Sequence, residues 1–200
     1  MPSRREFIQA GIAASVAPAV FPIGNAASRS APVSAVHHAL YCVVCDVRLR
    51  WSADFGHASE SLGNKVVRTT GDITDFWFAD LSRRWREAPV AIAGFTAGGP
   101  LFCLERFGWD HGLRVVFRGT HRSRDGGQVE HALTGPFPTV AAAHHALTAS
   151  DWPHHLARVL NGCDVARDTA TTTIRSAAAG NQQWDPDDTL VSWVIAPKPV

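Results

Sequence analysis

The chain has 200 residues, 46% hydrophobic and 18% charged, with 19 Lys and Arg against 18 Asp and Glu. A formal net charge of +1 leaves no electrostatic basis for holding nucleic acid or an anionic membrane, and both are excluded as partners on that ground. No internal repeat with a period of 20 to 50 residues is present, which excludes solenoids and propellers.

The first 27 residues read as an export segment. Arg4 and Arg5 stand adjacent, with Ser3 before them and Phe7-Ile8 after them. An uncharged run of small and apolar residues follows from Ala10 to Ile23, and Gly24 and Ala26 supply a small-x-small cleavage pattern. These features resemble the twin-arginine (Tat) signal peptides of bacteria. The resemblance covers residues 1–27 alone and implies passage through the Tat translocase in folded form, hence a periplasmic location. The apolar run is shorter than the roughly 20 residues a spanning helix needs. Retention as an uncleaved anchor is the lesser alternative, weakened by Pro18 and Pro22. Because Arg4, Arg5 and Glu6 fall in this segment, the remaining chain carries equal numbers of acidic and basic residues.

Residues 28–36 read as a flexible leader, and 37–200 as a single α/β domain. Ala39 to Val47 is a nearly unbroken apolar run, the pattern of a strand buried on both faces. Ser52 to Leu62 has helical spacing, with Gly63 placed to end it. Lys65 to Thr70 is a second strand. A helix over 72–87 follows, in which Trp77, Leu81 and Trp85 form one stripe. Val90 to Phe95 is a third strand, and Pro100 suits the first turn of the next helix, which runs to Gly112. Leu113 to Thr120 is a fourth strand. The turn Asp125-Gly126-Gly127 sends Gln128 to Thr134 back as a hairpin. A helical region over 139–160 is interrupted near Trp152-Pro153. Residues 164–188 are partly irregular, with a short strand around Thr172-Ile174-Ser176. Leu190 to Ala196 is a last strand, expected at an edge or beside the first strand. Strand–helix units in this order predict a Rossmann-like three-layer domain, with a mainly parallel sheet and an antiparallel hairpin extension.

Ligands of open α/β sheets bind at the carboxyl ends of the parallel strands. Those ends carry Asp46, Asp72, the turn from Thr96 through Gly98 and Gly99, and His121. Glycines at a strand-to-helix turn leave backbone N–H groups and the helix dipole open to an anion. The turn lacks the spacing of a dinucleotide fingerprint, and no Walker lysine follows it. No cofactor is therefore assigned.

Cys42 and Cys45 lie within a strand, where residues three apart point to opposite faces, so a structural role is expected. The adjacent pairs His37-His38, His144-His145 and His154-His155 form no chelate by themselves, and no metal ligands are assigned. No Gly-x-Ser-x-Gly elbow or His-Glu-x-x-His motif occurs. A Tat signal on a small neutral domain without a catalytic signature points to an accessory subunit accompanying a larger exported enzyme, and the resemblance to Tat substrates implies that this enzyme is a redox enzyme. Phe76 and Phe78 exceed what one buried stripe requires and are the candidate interface residues. The alternative is a stand-alone periplasmic ligand-binding domain or enzyme with an anion site at the strand ends.

Overall fold

The structure is a computed structural model that describes residues 36–37, 39–124, 127–165, 168–177 and 189–197. The export segment and residues 28–35 of the leader lie outside the described residues. Strand β1 (Val36–His37) pairs antiparallel with β7 (Asp164–Val165) as a separate ribbon.

The remaining strands form one seven-stranded sheet: β2 (Leu40–Asp46), β3 (Val66–Thr69), β4 (Ala91–Ala97), β5 (Leu113–Arg124), β6 (Gln128–Pro136), β8 (Thr169–Ala177) and β9 (Thr189–Pro197). Their spatial order is β3-β2-β4-β9-β5-β6-β8. Helices cover both faces. One layer holds α1 (Arg50–Ser61), α4 (Phe137–Ala146) and α5 (Trp152–Asn161). The opposite layer holds α2, residues 74–87, and α3 (Gly98–Trp109).

The α/β class and the three layers are those expected, but the sheet is not mainly parallel. Only β3-β2 and β2-β4 pair parallel, and the other four pairings are antiparallel. The cause is β9. Its residues Leu190 to Ala196 are all buried, and an edge position would leave one row of them in water. The strand instead inserts between β4 and β5, antiparallel to both, and separates the third strand from the fourth. Gly94 permits this placement, because a Cβ there would overlap the Trp193 indole across the β4–β9 pair.

Helix α2 also departs from a regular stripe. Thr74–Phe76 and Ser82–Glu87 are α-helical, while Trp77–Leu81 widens into a π turn. Leu81 and Trp85 are buried, and Trp77 stacks on Phe107 of α3 with centroids 4.2 Å apart. No helix among the described residues is long and apolar enough to cross a membrane.

Candidate functional site

The carboxyl end of β2 presents Asp46, whose side chain is fully buried. Arg48 closes on it: Nε donates to Oδ1 at 3.0 Å, Nη2 to Oδ2 at 2.6 Å, and the Arg48 backbone N–H to Oδ1 at 3.1 Å. The Asp46 backbone N–H donates to Ser52 Oγ at 2.7 Å, and Ser52 in turn donates to the Phe95 carbonyl, tying α1 to β4. Gly71, at φ +89°, leaves room for the Arg48 guanidinium, which a Cβ would strike. Paired in this way, Asp46 meets a ligand only if Arg48 is displaced.

The other strand-end residues are dispersed. Asp72 is exposed, and its Oδ1 accepts from the Thr74 backbone N–H at 2.8 Å; the bonds from Thr74 hold its carboxyl below the ordinary range. Thr96 is buried on the α2/α3 side of the sheet, where Oγ1 accepts from Trp193 Nε1 at 3.2 Å and donates to the Ala97 carbonyl at 2.8 Å. Gly98 and Gly99 open helix α3; both are exposed, with open space where a Cβ would stand. His121 lies on the opposite face, packed against Phe95 and Trp152. Thr96 and His121 are therefore separated by the sheet.

His121 belongs to a different constellation. Its Nδ1 meets Nδ1 of His131, the residue opposite on β6, at 2.7 Å. His121 Nε2 bonds Ser192 Oγ on β9 at 2.9 Å, and His131 Nε2 bonds Ser176 Oγ on β8 at 2.8 Å. A polar row Ser192–His121–His131–Ser176 thus crosses four adjacent strands inside the core layer of α1, α4 and α5. The Trp152 ring stacks on His121 at 5.1 Å and meets His131 edge-on, also at 5.1 Å. Gly119 makes room beside the row, since a Cβ there would stand 2.5 Å from Ser192 Oγ and 3.1 Å from His121 Nε2.

The bonding pattern restricts the protons. One Nδ1 of the facing pair must donate and the other accept. If His121 donates from Nδ1, its Nε2 accepts from the Ser192 hydroxyl, and His131 Nε2–H donates to Ser176. The reversed arrangement inverts all three bonds, and both imidazoles are neutral in either case. Burial, followed by repulsion from His131, holds His121 well below its ordinary value, and burial takes His131 from 6.5 to about 4.

Ser192, His121 and His131 are connected as nucleophile, base and orienting group would be. Ser192 is nonetheless fully buried in a central strand, so no substrate carbonyl reaches its Oγ. The row acts as a structural hydrogen-bond chain. Trp152 Nε1, buried beside it, has no hydrogen-bond partner among the described residues.

Cys42 and Cys45 point to opposite faces, Cys42 into the α2/α3 layer and Cys45 against Gly56 of α1. Burial pushes their thiols up to about 12 and about 11, far from the range of a reactive thiolate. No group of three or more His, Cys, Asp or Glu converges to hold a metal among the described residues. Of the interface candidates, Phe76 is half-buried and packs on the core, whereas Phe78 is 74% exposed. Helix α3 adds Phe102, 64% exposed, and Trp109, 43% exposed, which sequence periodicity alone did not single out. Comparison with protein-family models, curated proteins and solved structures finds no match.

Proposed function

We propose that this chain is an accessory subunit, exported folded through the Tat translocase, that docks on a larger periplasmic enzyme through its α2/α3 layer. The observation that carries the proposal is the exposure of Phe78 and Phe102 on that layer, with Trp109 one α3 stripe along. Trp77, Leu81 and Trp85 already supply the inward-facing contacts of α2, so Phe78 adds nothing to the core. Three of the four exposed large aromatics among the described residues lie on this layer, the fourth, Phe137, standing at the start of α4 on the opposite one, and exposed aromatics are the residues that protein interfaces favour. The strand-end carboxylate Asp46 is already neutralised by Arg48, which removes the most reactive group from the competing enzyme reading. A redox enzyme as the partner follows from the resemblance of residues 1–27 to Tat signals.

The test is affinity purification of the tagged protein from its native periplasm, alongside a Phe78→Ser/Phe102→Ser variant. A stoichiometric enzyme retained by the wild type and lost from the variant is expected. A lone, colourless monomer, or a partner indifferent to both substitutions, sinks the proposal.

An anion site at the strand ends is the second reading. It is favoured by the open first turn of α3, where Ala97 gives no side-chain cap and Gly98 and Gly99 are uncovered. It predicts a rise in melting temperature with millimolar inorganic phosphate, abolished by Gly99→Glu.

A further inference from the structure

The outer stripe of α3 has a chemistry that defines what it would receive. Phe102, Arg106 and Trp109 stand at i, i+4 and i+7, which places them on one face, and all three are exposed. The Arg106 guanidinium lies over the Trp109 ring, 4.3 Å from its centroid, and Arg114 from the start of β5 approaches the same ring at 5.8 Å. Two other arginines of this layer are neutralised: Arg83 pairs with Glu87 at 2.9 Å and Arg118 with Glu105 at 2.7 Å. Arg106 and Arg114 form no salt bridge among the described residues, and the one polar contact of either is Arg114 Nη1 donating to the Leu113 carbonyl at 2.6 Å. Two unneutralised cations therefore share one half-covered indole, beside an exposed phenyl ring.

We infer that this stripe receives an acidic, apolar-flanked segment of the partner protein, with a carboxylate set between Arg106 and Arg114 and an apolar side chain against Phe102. The inference rests on the docking role proposed above and specifies the partner's chemistry. An indole already stacked with a guanidinium keeps that guanidinium in a fixed plane, so its fork is presented for a carboxylate with little further loss of freedom. A carboxylate at that place also relieves the repulsion between the two cations. Trp and Arg at the centre of a patch are the residue types that dominate interface energies. An anionic lipid surface fits less well, because such surfaces are read by clusters of about 4 to 8 basic residues.

The experiment uses the periplasmic complex retained by the wild-type protein, identified by mass spectrometry, and three variants: Arg106→Glu/Arg114→Glu, Arg106→Gln/Arg114→Gln and Phe102→Ser. Urea midpoints of all three are measured first. Arg106 is exposed and Arg114 half-buried, and neither carries a salt bridge among the described residues, so the glutamine variant should keep a midpoint close to the wild type's. The expected result is at least a tenfold loss of partner retention with the glutamates, a smaller loss with the glutamines, and a matching loss in the wild type at 0.5 M salt. Partner retention unchanged by charge reversal yet lost in Phe102→Ser would overturn the acidic-segment inference while leaving the docking role standing. Failure of the wild type to retain any protein overturns both. Binding of the wild type to phosphatidylglycerol vesicles, lost in the glutamate variant and with no protein retained, would assign the stripe to a membrane instead.

Discussion

Lowering the pH from 7 to 4 should destabilise this domain through the histidine row. In the unfolded chain each imidazole titrates near 6.5. In the folded core His131 is held at about 4 by burial, and His121 lies well below its ordinary value. Below pH 6.5 the unfolded chain therefore binds more protons than the folded one, and stability falls as the pH falls. Above pH 6.5 neither state binds a proton at these sites, and their contribution is flat. Each unmatched proton costs about 1.4 kcal/mol per pH unit, so His131 alone removes about 3 kcal/mol between pH 6.5 and 4. His121 adds a loss of the same sign, and the His131 share alone is sizeable against a typical domain's roughly 5–15 kcal/mol. There is a local reason as well: a second proton on the facing Nδ1 pair replaces a hydrogen bond by two opposed N–H groups. Urea unfolding followed by tryptophan fluorescence, at half-unit steps from pH 7.5 to 4.5, reads the slope directly. The paired variant His121→Gln/His131→Gln keeps side chains that hydrogen-bond but do not titrate, and its slope should be shallower by more than one proton. Equal slopes for the two proteins, or a wild-type stability flat down to pH 4.5, would refute the reasoning.

Three further outcomes are expected. Gly119→Ala should destabilise the domain by about 2 kcal/mol, because its Cβ would press on Ser192 Oγ and His121, whereas Gly98→Ala should shift the urea midpoint very little. Arg48→Ala should lower the urea midpoint by leaving the buried Asp46 carboxylate with only its backbone donor, and Arg48→Lys should recover part of the loss; an unchanged midpoint in Arg48→Ala would contradict the pairing. Cys42 and Cys45 should resist iodoacetamide at pH 8 in the folded protein and react on unfolding, and prompt labelling of either in the native state would contradict the burial that raises their thiols.

Most elements could be read from local pattern because the signals were local. The apolar run from Ala39 to Val47, the Gly63 stop at φ +85° and the hairpin pairing of β5 with β6 each depend on a few neighbouring residues. The place of β9 depended on none of these. A strand apolar on both faces must be central, but its neighbours are set by long-range pairing over nearly 100 residues of separation from β4. The parallel expectation failed for that reason. The histidine row was half legible: His121 and His131 lie equidistant from Gly126, so a tight hairpin there places them opposite each other. Ser192 and Ser176 come from strands whose neighbours could not be read locally, and neither serine carries a motif. Phe78 was visible as an aromatic surplus on α2, while Phe102 and Trp109 were not singled out by sequence and stand exposed on the outer stripe of α3.

Amide hydrogen exchange of the folded protein, alone and with the partner that the proposed docking role requires, tests the docking face most directly. Slowed exchange confined to 74–87 and 98–109 is the predicted result. Slowed exchange at the strand ends around Asp46 and Asp72, with the two helices unchanged, would contradict it.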